Sequence, residues 1–334
     1  MPLSHRDYTV GCICPMGVEL APVKASLDHV HPNLPTQRDQ NNYTLGEICG
    51  HNIVIAVLPE IGNNAAAAVA IQLLNDFPSI RFGLLVGIGG GVPSQEEEGY
   101  DIRLGDVVVS KPTATFGGVV QYDLGKYSMG GGFERTGSLA KPPALLQASV
   151  QKLAADHRIQ GSQVPQLLSA MLQKYPVMEE EYSHPGLEAD QLFRADYPHP
   201  GGASCRNCDR LRVVNRDIRR NTNPKYHYGI IGSANTVVKD AGLREELWRA
   251  LKIMCVEMEA AGIMDSFPCL VIRGICDYAD SHKNKKWQPY AAATAAAYMK
   301  ELLSVIPPKD VASVSPAAEV FQVPSESARN FLTC

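Results

Sequence analysis

The stretch VEMEAAGIMDSFPCLVIRGICDYAD, which runs from Val256 to Asp280, decides the fold. One apolar strand (253–258) ends in it, a short helix (260–267) follows, and a second apolar strand (269–277) comes next. Acidic residues stand at the carboxyl ends of both strands: Glu257 and Glu259 at the first, Asp277 and Asp280 at the second. Ligands of parallel sheets bind beyond the carboxyl ends of the strands. We predict that the two strands are neighbours in the sheet. Carboxylates without partners on neighbouring strand ends would repel one another, so each needs a partner or a ligand, and these acids therefore indicate a ligand site.

Strands and helices alternate along most of the chain. The pattern predicts strands at 8–14, 82–92, 104–112 and 226–235, with a hairpin at 43–59. It predicts helices at 19–27, 63–77, 143–156, 163–175, 243–251 and 290–306. Buried strands alternating with helices are typical of a parallel sheet covered on both faces. We therefore predict a single-domain three-layer α/β/α fold with a mixed, largely parallel central sheet over residues 1–308.

Two segments depart from this alternation. Residues 177–224 are rich in Pro, Gly, Asp, Arg and His and have little periodicity, which predicts an irregular insertion of the kind that covers a site. Residues 309–334 are rich in Ser, Pro and Ala, which predicts a disordered tail.

Composition excludes several classes of function. The 334 residues are 45% hydrophobic and 20% charged, with a formal net charge of -4, so we expect neither nucleic acid nor membrane as a partner. The longest apolar runs have the length of strands, and no signal peptide is predicted. Nine cysteines, several of them inside apolar strands, predict a reduced, cytoplasmic protein. The basic KNKKW segment (283–287) is interpreted as a solvated loop.

A glycine run, Gly87-Ile88-Gly89-Gly90-Gly91, lies at the end of the apolar segment 82–92, which predicts a buried strand that runs into a glycine turn. It matches neither the GxGxxG pattern of dinucleotide sites nor a phosphate-binding P-loop. Two readings stay open at this point, a close approach of backbone to a ligand and a tight reversal of the chain.

The acids also have two readings. Glu257 and Glu259 alternate along a strand, which predicts opposite faces, one toward a ligand and one toward a structural partner. A carboxylate facing a ligand can accept two hydrogen bonds from a cis-diol. A single acid in this position is more often a helix cap, and only the group of four favours a site.

These segments together resemble a known family. VEMEAAG followed by IRGICDYAD is similar to the paired signature of the nucleoside phosphorylase/nucleosidase superfamily, and the likeness extends to VGCICPMGVEL, to VGIGGGV before LGDVVVS, and to GIIGSANTVVKD. Within that superfamily the chain resembles the methylthioadenosine/S-adenosylhomocysteine nucleosidases. The insertion and the segment GICDYADSHKNKKWQPYAAATAAAYMKELL also resemble the nucleosidase-like (purine nucleosidase) domains that open many fungal multidomain proteins of the innate-immune-receptor type. The resemblance covers most of residues 8–306.

The resemblance implies catalytic roles. Glu19 matches the acid that activates the attacking water, and Asp277 matches the acid that protonates N7 of the purine. Glu259 matches the acid that holds the ribose 2′ and 3′ hydroxyls, and Met258 matches the methionine under the sugar. Cleaving a ribosyl C–N bond needs these groups, because positive charge builds on the sugar while the departing base needs a proton.

Further binding residues follow from the same resemblance. The site is expected to include Ile88, Gly89, Gly90, Glu257, Val237 and Val238. Val237 stands where the family has an aromatic residue, and Ile88 stands where a hydroxyl residue is frequent. Tyr122 matches, in a looser alignment, an aromatic residue that reaches the 5′ pocket of a neighbouring subunit. Members of the family assemble as dimers, trimers or hexamers, so the resemblance implies a homo-oligomer. No cofactor is expected.

The resemblance favours water over phosphate as the nucleophile, because the first loop, 14–18, lacks the arginine that the phosphorylases use. We predict a purine nucleosidase that acts on adenosine, inosine or guanosine, with Arg194, Tyr197 and His199 of the insertion suited to a 5′-hydroxyl or phosphate. The alternatives are a methylthioadenosine/S-adenosylhomocysteine nucleosidase, a phosphate-dependent purine nucleoside phosphorylase, a non-catalytic nucleotide sensor and a pure scaffold.

The pair Cys205-x-x-Cys208 is half of a zinc motif. No second CxxC exists in the sequence, and His184 and His199 are available but not required. A free thiol pair or a strained turn is the preferred reading, and no metal ligand is assigned.

Overall fold

Strands and helices alternate from the first strand onward in the computed structural model, which describes residues 3–35, 41–94, 100–129, 132–202 and 204–320. The strands are β1 (Val10–Cys14), β2 (His29–Val30), β3 (Tyr43–Ile48), β4 (His51–Val57), β5 (Phe82–Gly91), β6 (Val107–Ser110), β7 (Val119–Gln121), β8 (Gly125–Tyr127), β9 (Phe133–Arg135), β10 (Tyr226–Ser233), β11 (Ile253–Glu257) and β12 (Cys269–Asp277). The helices are α1 (Gly17–Ala25), α2 (Asn63–Asp76), α3 (Ala144–Gln160), α4 (Val164–Lys174), α5 (Glu179–Tyr182), α6 (Ala241–Leu251), α7 (Ala260–Ile263), α8 (Gln288–Ser304), α9 (Pro308–Ser313) and α10 (Ala317–Val320).

The central sheet is mixed and largely parallel, which confirms the predicted fold class. Its order is β11-β10-β6-β12-β5-β1-β4-β3-β2, and β7 adds to β10. β1 runs parallel to β4 and β5, β12 runs parallel to β5, and β10 runs parallel to β6, β7 and β11. β3 and β4 form the predicted hairpin, whose turn residues Cys49 and Gly50 both have positive φ angles of 51° and 81°.

Helices cover both faces of the sheet. Residues of α1, α3, α4 and α8 pack against one face with Val10, Phe82 and Leu270. Residues of α2 and α7 pack against the other face with Ile13, Leu85 and Val271. Successive side chains of a strand point to opposite faces, so strands buried on both sides are apolar throughout. Among the described residues no helix is both long enough and apolar enough to cross a membrane.

The glycine run is part of a strand, which corrects the prediction of a glycine turn. β5 continues through Gly91 and pairs with β12 on one side, and its last residues, Gly90 and Gly91, pair with β11 on the other. A side chain would not fit here, because a Cβ atom at Gly89 would lie 2.4 Å from the sulfur of Cys255. The glycines therefore let other parts of the chain approach the strand closely.

β11 and β12 are not neighbours in the sheet, contrary to the prediction. β10 and β6 lie between them in the sheet order. The carboxyl ends still meet, because Gly90 is the partner of Val256 in the β5–β11 pairing and of Asp277 in the β5–β12 pairing. The pairings β11–β10, β10–β6, β6–β12, β12–β5 and β5–β11 close a ring of strands.

The insertion at 177–224 packs against the loop that follows β12. It contains α5, short 3-10 turns and an isolated bridge between Phe193 and Val213. Arg216 donates hydrogen bonds to the hydroxyl of Tyr278 (2.8 Å) and to the carboxylate of Asp190 (3.0 Å). The insertion is therefore joined to the segment that directly follows Asp277.

The structure corrects the prediction of a disordered tail for residues 309–320. α9 and α10 lie in this segment, Val311 and Ala317 are fully buried, and the amide of Ala317 donates to the carbonyl of Ile80 (2.7 Å). Burial of these apolar side chains holds the segment on the domain despite its composition. The rest of the predicted tail, 321–334, lies outside the described residues.

Candidate active site

A cavity of about 180 Å³ opens at the carboxyl ends of β5, β11 and β12. Its lining combines the loop after β1 with the segment after β10. It is lined by Pro15, Met16, Glu19, Ile61, Ile88, Gly89, Gly90, Thr236, Val237, Val238, Val256, Glu257, Met258, Glu259, Cys276, Asp277, Lys283 and Gln288. A second cavity of about 540 Å³, walled by the insertion, shares Cys276 and Asp277 with it. The residues predicted to be catalytic or to bind substrate thus meet in one place, apart from Tyr122 and the insertion residues Arg194, Tyr197 and His199.

A fully buried arginine, Arg273, lies behind the cavity and contacts three of its acids. Its guanidinium lies 3.8 Å from Glu19 Oε1 and 3.0 Å from Glu259 Oε2, and it bonds the carboxylate of Glu257. Glu257 and Glu259 therefore reach the same guanidinium, which corrects the expectation that they point to opposite faces. Sequence reasoning missed Arg273, although a lone arginine inside the apolar strand LVIRGIC was a signal, because a buried charge needs partners.

Glu19 is held by two backbone amides. Its Oε2 accepts from the amide of Met16 (2.6 Å) at the start of α1, and its Oε1 accepts from the amide of Ile88 (2.7 Å) in β5. Gly87 permits this approach, since a Cβ atom there would lie 2.4 Å from Glu19 Oε1. Burial raises the pKa of Glu19 to about 8, against the opposing effect of Arg273. A carboxyl group with this pKa can exchange a proton near neutral pH.

Glu257 acts mainly as a structural acid. Its carboxylate accepts from the amides of Glu259 (3.1 Å) and Ala260 (3.0 Å) at the start of α7, and it also bonds Arg273. These contacts match the cap reading that the sequence left open for a single acid. Glu257 lines the cavity, but its oxygens are already occupied.

The carboxylate of Glu259 has more hydrogen-bonding capacity left for a ligand than that of Glu257. Its Oε1 accepts from the amide of Gly62 (3.2 Å), before α2, and its Oε2 accepts from Arg273 (3.0 Å). Burial raises the pKa of Glu259. Each oxygen keeps one further lone pair, so the carboxylate can accept from two hydroxyl groups at once.

Asp277 is paired with a lysine that the sequence analysis placed in a solvated loop. Lys283 Nζ lies 3.1 Å from Asp277 Oδ1, and the lysine side chain is only 23% exposed. The amide of Ala279 (2.8 Å) and the thiol of Cys276 (3.3 Å) also donate to the carboxylate. The interpretation of 283–287 as a solvated loop is therefore wrong for Lys283. A short charged segment gave no sign of this, because the contact depends on how the loop folds back.

Some predicted residues lie elsewhere. Tyr122 packs half-buried near Val120 and Trp248, outside the cavity, and its role toward a neighbouring subunit stays a prediction. Arg194 pairs with Asp196 on the surface (3.1 Å). Tyr197 accepts from the amide of Asp209 through its hydroxyl (2.9 Å), and His199 lies beside Cys205 and Cys208. These three insertion residues therefore lie outside the cavity, and their positions do not support the prediction of a polar 5′ group.

Asp280, the last acid of the opening stretch, is a structural residue. Its carboxylate lies 3.4 Å from the buried Arg244 and accepts from the amide of His282 (2.8 Å). The four acids thus divide by their contacts: Glu259 and Asp277 keep oxygens available to the cavity, whereas Glu257 and Asp280 are held by backbone amides and arginines.

The chain belongs to the phosphorylase superfamily, whose family model matches residues 9–304. A relative described as a nucleotide-binding leucine-rich repeat (NLR)-like protein of Hyaloscypha variabilis is 47% identical over 309 residues, which cover 92% of this chain. The match spans only 30% of that relative's length. It bears out the resemblance to nucleosidase-like domains of fungal multidomain proteins.

Solved nucleosidases share the fold. Futalosine hydrolase of Helicobacter pylori matches with a TM-score of 0.57 and 17% identity, over 90% of this chain and 99% of that one. A methylthioadenosine/S-adenosylhomocysteine nucleosidase from S. pneumoniae, solved with a transition-state inhibitor, matches with a TM-score of 0.57 and 17% identity, over 90% of this chain and all of that one (100%). At this identity the likeness concerns the fold.

Proposed function

We propose that this domain is a purine nucleosidase, which hydrolyses the N-glycosidic bond of purine ribonucleosides to free base and ribose. The observation that carries the proposal is a base and an acid in one cavity. Glu19 is buried with a pKa of about 8, and Asp277 lines the same cavity beside an ammonium group. A general base and a general acid that share a site are the requirement for cleaving a bond with a poor leaving group.

Each group has one task in the reaction. Asp277 passes a proton from the neighbouring ammonium of Lys283 to N7 of the purine as the C1′–N9 bond breaks, so the base leaves neutral. Glu19 takes a proton from water, whose oxygen forms the new bond to C1′. The carboxylate of Glu259 binds the 2′ and 3′ hydroxyls and adds negative charge near the cationic sugar. Lys283 Nζ, 3.1 Å from Asp277 Oδ1, is the source of that proton in this scheme.

The charges of the cavity support water as the nucleophile. Of the described residues that line it, Lys283 supplies the cation, and it is paired with Asp277. Arg273 is fully buried and contacts three carboxylates. A phosphate ion beside Glu19 would meet a carboxylate without a free cationic partner, which is unfavourable.

The second candidate is a methylthioadenosine/S-adenosylhomocysteine nucleosidase. The observation in its favour is the apolar character of part of the lining, where Ile61 is 47% exposed and Val237 is 51% exposed, with Met16 nearby in the loop after β1. An uncharged thioether would bury such surface favourably.

One assay separates these candidates. Release of free base is measured with adenosine, inosine, guanosine and methylthioadenosine, each with and without phosphate, for the wild type and Asp277→Asn. We expect base and free ribose without phosphate, and a loss of about 100-fold or more in Asp277→Asn, as is typical when a general acid is removed. Asp310→Asn, an exposed aspartate on α9, is the matched control.

The outcomes are distinct. Turnover that requires phosphate would show a phosphorylase, and a methylthioadenosine rate far above the adenosine rate would show the second candidate. Binding of nucleoside without turnover, measured by calorimetry, would indicate a nucleotide sensor. Absence of binding would leave the fold as a scaffold.

A further inference from the structure

The structure assigns a zinc site to His199, Cys205 and Cys208, and we propose that bound zinc joins the insertion to the loop after β12. One ligand atom from each of the three residues lies within 4.8 Å of the other two. Cys208 is buried, and the other two side chains are partly buried. Both cysteines are free thiols among the described residues.

The donor set favours zinc over other common metals. Two thiolates and an imidazole form a soft and borderline set, which suits a tetrahedral zinc ion and disfavours calcium or magnesium. Zinc–sulfur and zinc–nitrogen bonds of about 2.3 and 2.0 Å put neighbouring ligand atoms roughly 3.5 to 4 Å apart. Small side-chain movements would bring the three ligand atoms, which lie within 4.8 Å of one another, to these distances.

His282 provides a second, independent sign of a ligand. Its residue is only 7% exposed, and its Nε2 has no hydrogen-bond partner among the described atoms. Its ring centroid is 5.2 Å from that of His199, and its carbonyl accepts from the thiol of Cys205 (3.8 Å). A buried nitrogen without a partner is costly, so a turn of this ring toward the metal, as the fourth ligand, would remove that cost.

The position of the cluster gives the metal a role in shaping the site. His199, Cys205 and Cys208 belong to the insertion, whereas His282 lies directly before Lys283, the partner of Asp277. The backbone amide of His199 also donates to the hydroxyl of Ser281 (3.0 Å). Cys205 and His282 line the cavity of about 540 Å³ that shares Asp277 with the candidate active site. Zinc would therefore fix the loop that carries Lys283.

Metal content is the first test. The chain is produced with zinc in the medium, and bound metal is measured by mass spectrometry for the wild type, Cys205→Ser/Cys208→Ser and Cys49→Ser. We expect about one zinc per chain in the wild type and in Cys49→Ser, whose cysteine lies far from the cluster in the β3–β4 turn, and loss of the metal in the double variant. Cobalt-substituted wild type should show the absorption of thiolate–cobalt bonds.

A second variant covers the case in which the double variant fails to fold. His199→Ala keeps both thiols and should lower zinc affinity, measured against a colorimetric chelator, by about 10-fold or more. The proposal is overturned if the wild type, purified with zinc, holds none and both thiols are free, or if mass spectrometry finds a Cys205–Cys208 disulfide. These readouts do not depend on enzymatic activity, so they stand apart from the nucleosidase proposal.

Discussion

The carboxyl group of Glu19 is buried, accepts hydrogen bonds from two backbone amides and lies near the guanidinium of Arg273. The sequence could place this acid after the first strand, and the resemblance implied its role. It could not predict the pKa, because that value depends on burial and on Arg273, which is distant in the chain. The same holds for Asp277, whose ammonium partner comes from a loop that composition alone described as solvated.

The pH dependence of hydrolysis should report Glu19. A general base must be ionised, so the protonated form that dominates below a pKa of about 8 is inactive. We expect kcat/KM to rise by about 10-fold per pH unit from pH 6 toward pH 8 and then to level off. Glu19→Gln should lose at least about 100-fold in kcat, while Glu180→Gln, an exposed glutamate on α5, should not change. A flat profile between pH 6 and pH 8 would contradict this assignment.

Lys283 should matter for catalysis more than other lysines of its loop. Lys283→Met keeps the length of the side chain and removes the ammonium that lies 3.1 Å from Asp277. Hydrogen bonds to charged groups contribute about 1.5–3 kcal/mol, so we expect kcat to fall by roughly 10- to 100-fold with a smaller change in KM. Steady-state kinetics would measure both constants, with the exposed Lys285→Met as the control. Equal effects of the two substitutions would refute a specific role for Lys283.

At the scale of elements, the alanine-rich composition of α8 sets the distance between this helix and the sheet. Its alanines, which the sequence identified as a helix, lie against Gly274 of β12, and a Cβ atom at Gly274 would lie 1.8 Å from the carbonyl oxygen of Ala291. Periodicity predicted this helix and most strands to within a few residues. It predicted the extent of β5 but interpreted the glycines at its end as a turn, because their pairing depends on flanking strands that the sequence alone does not reveal.

Gly274→Ala should destabilise the domain. The new methyl group would clash with helix backbone, which cannot move aside as a flexible side chain can, so we expect a loss of about 3 kcal/mol or more in the free energy of unfolding. Urea unfolding followed by circular dichroism measures it. Gly17→Ala is the matched control, because nothing lies within 4 Å of its added Cβ atom. Similar midpoints for both variants would mean that α8 can shift away from the sheet.

At the scale of the whole molecule, the insertion is part of the domain's stability. Asp190 and Arg216 form an ion pair (3.0 Å) whose side chains are 8% and 14% exposed, and both contact the hydroxyl of Tyr278. The lack of periodicity predicted an irregular insertion at 177–224. It could not show the docking surface, since that surface is built from contacts between residues distant in the chain, such as Tyr278 and Asp190, which are 88 positions apart.

Arg216→Met tests this coupling. The substitution leaves the buried carboxylate of Asp190 without its charged partner, which costs about 3 kcal/mol. We expect a lower unfolding midpoint and faster proteolytic cleavage within 177–224. Arg194→Met removes an ion pair whose side chains are 55% and 57% exposed, and it should leave both measurements unchanged. Cleavage without loss of global stability would show that the insertion unfolds on its own.

The expected homo-oligomer stays a prediction at this scale. Light scattering coupled to gel filtration would measure it, and the position of Tyr122 outside its own chain's cavity gives the residue to substitute first.

The ring of strands closed by β5 has a consequence for self-association. A sheet normally ends in two edges whose free amides and carbonyls can recruit strands from other molecules. Here β11, the end strand of the sheet order, is paired on its far side with β5, and the opposite end is β2, a strand of two residues. Within the described part of the large sheet, little unpaired strand backbone is left to template aggregation. The β5–β11 pairing, which brings the acids of the site together, also protects this edge of the sheet.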